Sequence, residues 1–145
     1  MRPALAALAA VLAVAPAATA DGIGGAALDY AVYCQGCHRA DGAGTPGSVP
    51  ALAGSVGKFL RVPGGREYLG RVPGVAQAGL DDAALAAVVN WMLGTFDKDD
   101  RPADFVPYTA DEIGRLPQKP LTDVARARRE LVDAIVRGGA AAPAP

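Results

Sequence analysis

The residues most able to do chemistry lie together in Cys34-Gln35-Gly36-Cys37-His38, which holds both cysteines and the single histidine of the 145-residue chain. Cys-x-x-Cys-His is the attachment pattern of a c-type haem. Two thiols at this spacing can reach the two vinyl groups on one haem edge and form thioethers. The imidazole that follows the second Cys can then swing beneath the iron, for which histidine is a proximal ligand. No other histidine competes for that place. Three other chemistries fit less well. A thioredoxin-like dithiol expects a strand–helix setting, which the flanking residues do not offer. A zinc site wants four ligands, and Cys34, Cys37 and His38 supply three with no second cluster. A disulfide at this spacing closes too small a loop to constrain much of the unfolded chain.

The composition asks for such a cofactor. With 18 Gly, 12 Pro and only 6% aromatic residues, the chain has little with which to build a core. Small domains are marginal in buried apolar area. A haem contributes a large rigid apolar disc, whose burial is favourable.

The beginning of the chain reads as an export signal. Met1-Arg2 carries one positive charge, Ala4 to Ala15 is an unbroken apolar run, and Ala18-Thr19-Ala20 is a small-x-small cleavage site before Asp21. These are the three regions of a secretory signal peptide. The apolar run is too short to span a hydrocarbon core of about 30 Å. The expectation is a signal peptide over 1–20, a mature chain starting at Asp21, and a periplasmic location with no stable membrane span after cleavage. A net charge of −1 gives no reason to expect a nucleic-acid partner.

The elements that must hold the motif read as helices. Ala26 to Tyr33 has apolar residues near helical spacing and runs into Cys34. Arg39 to Pro50 is too dense in Gly and Pro for regular structure. Ala51 to Leu60 suggests one short turn, and Arg66 to Arg71 a short helix ending at Pro73-Gly74. Asp81 to Phe96 is the strongest helix. It has an acidic N-terminal turn and a stripe of Leu85, Val88, Val89, Met92 and Leu93. Thr109-Ala110-Asp111-Glu112 fits a capping box, opening a helix that ends before Pro117. Asp123 to Arg137 forms another helix, with Val124, Leu131 and Ile135 on one side and several arginines elsewhere. Residues 138–145 read as a disordered Ala/Pro/Gly tail. No period-2 strand is evident.

From Leu28 to Phe96 the sequence resembles the class I cytochrome c domain. The resemblance rests on the helix into Cys34-Gln35-Gly36-Cys37-His38, on Ala40-Asp41-Gly42-Ala43-Gly44, on Val49-Pro50-Ala51-Leu52-Ala53-Gly54 and on the helix Leu80 to Leu93. It implies an all-α cytochrome c-type fold over residues 21–96, wrapped around one covalent haem c. A helical extension, 97–137, and the tail would be appended to it. It also implies that the Pro50 carbonyl accepts the ring N–H of His38, and that Trp91 sits where the first and last helices of the domain cross. The implied role is one-electron transfer rather than catalysis. Its partners would be redox proteins, a donor dehydrogenase and an acceptor oxidase or cytochrome.

One departure stands out. The family usually takes a distal Met from the loop before its last helix, but Arg71 to Gly79 contains none. Met92, within the helix, is either an unusual sixth ligand or a core residue filling space against neighbouring apolar groups. Gln77, Lys58 and a tyrosine are other candidates. An open iron, suited to small-ligand sensing or minor peroxidase chemistry, is the alternative function. Arg61, Arg66 and Arg71 are expected on a solvated face.

Overall fold

The computed structural model describes residues 25–116 and 121–145; the expected signal peptide lies outside them. Among the described residues the architecture is all-helical, and the single strand-like pairing is an isolated bridge between Thr45 and Val49.

The central element is α5. The long apolar stripe forms it over Asp82–Phe96, and Asp81 caps it by accepting the Ala84 N–H at 2.8 Å. Leu85, Val88, Val89, Met92 and Leu93 are all buried in the core, as the stripe requires. The first helix, α1 (Gly25–Tyr33), packs across α5. An aromatic cluster marks the contact: the rings of Tyr30 and Trp91 lie 5.1 Å apart, Tyr30 and Phe96 5.1 Å, and Trp91 and Phe96 5.5 Å. Trp91 thus stands at the helix crossing, as the resemblance implied. The short α2 (Gln35–His38) carries the motif directly after α1.

A 3₁₀ turn, Val56–Arg61, and the helix α3 (Gly65–Arg71) follow, joined by stacking of Phe59 on Tyr68 at 5.3 Å. Pro73 does not simply end the helical region. Val72 takes the extended conformation expected before proline, and Pro73 opens a further short helix, α4 (Pro73–Ala76), from its first turn.

The last part of the chain is built into the same core. Asn90 of α5 bonds the backbone of Tyr108 twice: its Oδ1 accepts the Tyr108 N–H at 2.8 Å and its Nδ2 donates to the carbonyl at 2.9 Å. The helices α6 (Ala110–Arg115) and α7 (Val124–Arg137) bury Ile113 and Ile135, exposed by 0% and 1% respectively. Their buried residues belong to the same hydrophobic cluster as those of residues 25–96. The tail makes contacts of its own. Pro143 is buried, the Ala144 N–H donates to the buried Ser55 Oγ at 2.8 Å, and Arg128 donates to the Ala144 carbonyl at 2.6 Å. Both backbone groups of Ala144 thus have partners on other parts of the chain.

Arg66 is also placed otherwise than expected. It is not on a solvated face. Its Nε and Nη2 bond both oxygens of Glu112 at 2.5 and 2.7 Å, Nη1 donates to the Val106 carbonyl at 2.7 Å, and the guanidinium lies 4.0 Å from the Tyr108 ring centroid. Tyr108 returns its hydroxyl to the Arg66 carbonyl at 2.8 Å. Bidentate pairing with a carboxylate and stacking on an aromatic face are contacts the planar guanidinium makes and an ammonium cannot. Glu112 is the capping-box residue, with the Thr109 hydroxyl accepting its N–H at 3.2 Å.

Candidate haem-attachment site

Cys34 ends α1 by donating its N–H to the Tyr30 carbonyl at 2.9 Å, and it opens α2 by accepting from the N–H groups of Cys37 and His38 at 3.2 and 3.0 Å. This tight turn sets both thiols and the imidazole on one short piece of backbone. Both cysteines are free thiols, Cys34 half-buried and Cys37 exposed. Burial, then the nearby charges of Asp29 and Cys37, pushes the Cys34 thiol up, so it stays protonated at neutral pH. Among the described residues no group of three or more His, Cys, Asp or Glu side chains is arranged to hold a metal ion.

His38 is half-buried, and burial lowers its pKa, favouring the neutral imidazole that can offer a lone pair. Its Nδ1 is buried without a hydrogen bond of good geometry. The Pro50 carbonyl is close enough to favour the protonated ring, though less strongly than burial opposes it. The ring thus lies beside the Pro50 carbonyl with its buried Nδ1 free of any hydrogen bond of good geometry. The structure therefore brings together Cys34, Cys37, His38 and Pro50.

The intervening loop explains how. The Gly44 N–H donates to the His38 carbonyl at 3.1 Å, and the Leu52 N–H to the Gly42 carbonyl at 2.7 Å. Gly44 has φ +68°, and a Cβ there would run into the carbonyls of Val49 and Pro50. Glycine is required by both the dihedral and the close approach. Gly42, at φ +70°, lies against the Phe96 ring in the same way.

Met92 is brought into a different setting. It is 7% exposed, in the core with Leu85, Val88, Val89 and Leu93. The other ligand candidates are engaged or turned outward. Lys58 pairs with Asp100 at 3.7 Å. The Tyr30 hydroxyl donates to the Arg39 carbonyl at 2.7 Å, and that of Tyr108 to Arg66. Tyr68 is buried against Phe59, while Tyr33 and Gln77 are exposed. The role of Tyr30 was not legible in sequence. Its position four residues before Cys34 hints at the inner face of a helix, but the partner of its hydroxyl depends on the turn after His38.

No family model matches the chain. Two curated relatives do, both named cytochrome c-552 and both from Thermus thermophilus. The first is 36% identical over 124 residues, covering 69% of this chain and 84% of the relative. The second is 36% identical over 107 residues, covering 61% of this chain and 82% of the relative. The likeness covers more of the chain than the half that carries the motif-level resemblance.

Proposed function

The chain belongs to the monohaem c-type cytochromes, electron carriers with covalently bound haem c, and from that premise we propose that Cys34 and Cys37 form the thioethers and His38 is the proximal iron ligand. The observation that carries this assignment is the buried, unpartnered Nδ1 of His38 on a ring that lies beside the Pro50 carbonyl, and we take Nδ1 as the nitrogen directed to that carbonyl. With that nitrogen directed to the backbone, ligation falls to Nε2, and the Pro50 carbonyl fixes the tautomer and raises the ligand's basicity. When bound, the haem supplies a one-electron couple. The residues of the chain orient it and hold one edge at the exposed Cys37, where a partner protein can approach.

The finer reading is a periplasmic carrier, exported by residues 1–20, that takes an electron from a dehydrogenase and passes it to an oxidase or another cytochrome. No helix among the described residues is long and apolar enough to cross a membrane. Met92 acts as a packing residue, since it shares the burial and the face of its apolar neighbours. The loop over Arg71 to Gly79 brings no sulfur in its place. This favours, as a second reading, an iron whose sixth position is open to small ligands.

Haem staining of denatured protein tests the attachment. Wild type is expected to retain haem through acidified organic extraction, whereas Cys34→Ala and Cys37→Ala lose stable attachment. Release of haem from denatured wild type would overturn the assignment. Carbon monoxide binding by the reduced protein separates the two readings of the sixth position, and N-terminal sequencing of the isolated holoprotein tests cleavage before Asp21.

A further inference from the structure

We propose that Tyr30 is a positioning residue for His38, its hydroxyl holding a strained backbone turn immediately behind the iron ligand. The inference rests on the assignment of His38 above.

The turn after His38 is unusual. Arg39 has φ +63° and ψ +167°, and it is the only non-glycine residue with positive φ among those described. That region of backbone space is almost confined to glycine, because a Cβ meets its own backbone there. A side-chain-bearing residue persists in it only where its surroundings hold it. Three groups do so here. The Arg39 N–H donates to the Gln35 carbonyl at 2.7 Å, and the Arg39 carbonyl accepts the Tyr30 hydroxyl at 2.7 Å and, at a longer 3.3 Å, the Gly42 N–H. The Tyr30 contact is the shorter of the two on that carbonyl and comes from outside the turn.

Tyr30 is well fixed for the purpose. It is 2% exposed, and its ring is clamped by Trp91 and Phe96 at the crossing of α1 and α5. Burial pushes its hydroxyl up to about 12, so it remains a donor throughout the neutral range. The helix crossing is thereby connected through one hydrogen bond to the peptide next to His38. The carbonyl of His38 itself is tied by Gly44, whose Cα lies against the Pro50 carbonyl. Holding Arg39 on one side and Gly44 on the other fixes where the imidazole stands relative to Pro50.

If the hydroxyl is removed, Arg39 can relax and His38 can move off the Pro50 carbonyl. The imidazole becomes a weaker donor, which favours the reduced iron. The test uses holoprotein of wild type, Tyr30→Phe and the double variant Tyr30→Phe/Arg39→Gly. Tyr30→Phe keeps the ring contacts and is expected to raise the reduction potential. A shift of about threefold in the one-electron equilibrium constant is about 28 mV, on the scale of 59 mV per tenfold. The haem methyl resonances of the ferric protein, which follow the orientation of the axial imidazole, should move with it. Glycine accepts φ +63° without strain, so the double variant should return both readouts towards wild type. If Tyr30→Phe does not fold but the double variant does, the proposal stands.

Three results overturn it: a Tyr30→Phe protein that melts earlier with unchanged potential and methyl shifts, a double variant that keeps the shift of the single one, or failure of both variants to fold. Each differs from a failure of the His38 assignment, which would appear as wild-type holoprotein, its haem still covalently held, whose haem methyl shifts show no axial imidazole.

Discussion

Between Cys34 and Gly54 the chain is ordered chiefly by its own backbone, and the residues buried there are two glycines, Gly42 and Gly44. From Tyr108 onward it is ordered by side chains. Tyr108, Ile113 and Ile135 are exposed by 3%, 0% and 1% respectively, and Arg66, Asn90 and Ser55 reach across from earlier in the chain to bond it. The first region places atoms and the second supplies apolar area. Backbone bonds fix a turn closely but add little net stability each, about 0.5–1.5 kcal/mol. A buried Ile or Leu contributes roughly 1.5–3 kcal/mol by transfer from water. A precise site on a turn therefore needs mass elsewhere, and the part of the chain with no recognisable motif provides it.

The largest expected effect breaks this comparison outright. Truncation after Asp100 removes Tyr108, Ile113 and Ile135 together, and a cooperative thermal transition by circular dichroism should be lost or greatly weakened. Ile135→Ala alone should cost about 2–5 kcal/mol, the range for emptying a well-packed aliphatic site. A truncated protein that melts like wild type would return residues 101–145 to the status of an appendage.

Met92 sharpens the comparison from within α5. Leucine nearly conserves its volume and apolarity, so Met92→Leu should cost less than about 1.5 kcal/mol in chemical denaturation. The haem spectrum should be unchanged. A lowered potential and loss of a sulfur-to-iron charge-transfer band would instead make Met92 part of the site.

The smallest effect concerns pH. Hydrogen bonding to Arg66, opposed by partial burial, holds the Glu112 carboxyl below its usual range. A carboxyl depressed in the folded state contributes stability that is present above its unfolded pKa, about 4.3. That contribution is lost as pH falls through the lower folded value. Glu112→Gln should therefore be less stable than wild type at neutral pH, with the gap narrowing as the solution is acidified. A gap that stays constant down to pH 3 would show that the Arg66–Glu112 pair acts only through geometry.

The sequence by itself determined most of the helices and the spacing on which the proposed covalent chemistry rests. Cys-x-x-Cys-His works through spacing along the chain, and so do the α5 stripe, the caps at Asp81 and Thr109, and the punctuation by Gly and Pro. All of these are local relations that a reader of residues can measure. Tertiary structure alone decided the rest. That Arg66 is spent on Glu112 and Tyr108, that Asn90 clasps residue 108, that the Ala/Pro tail bonds Ser55, and that Tyr30 reaches the turn behind His38 all join residues far apart in sequence or across a turn whose path is not regular. Polar side chains such as Arg, Asn, Ser and Tyr carry no periodic signal, because any of them can be satisfied equally well by water. Only the folded backbone places one partner rather than another within hydrogen-bonding reach.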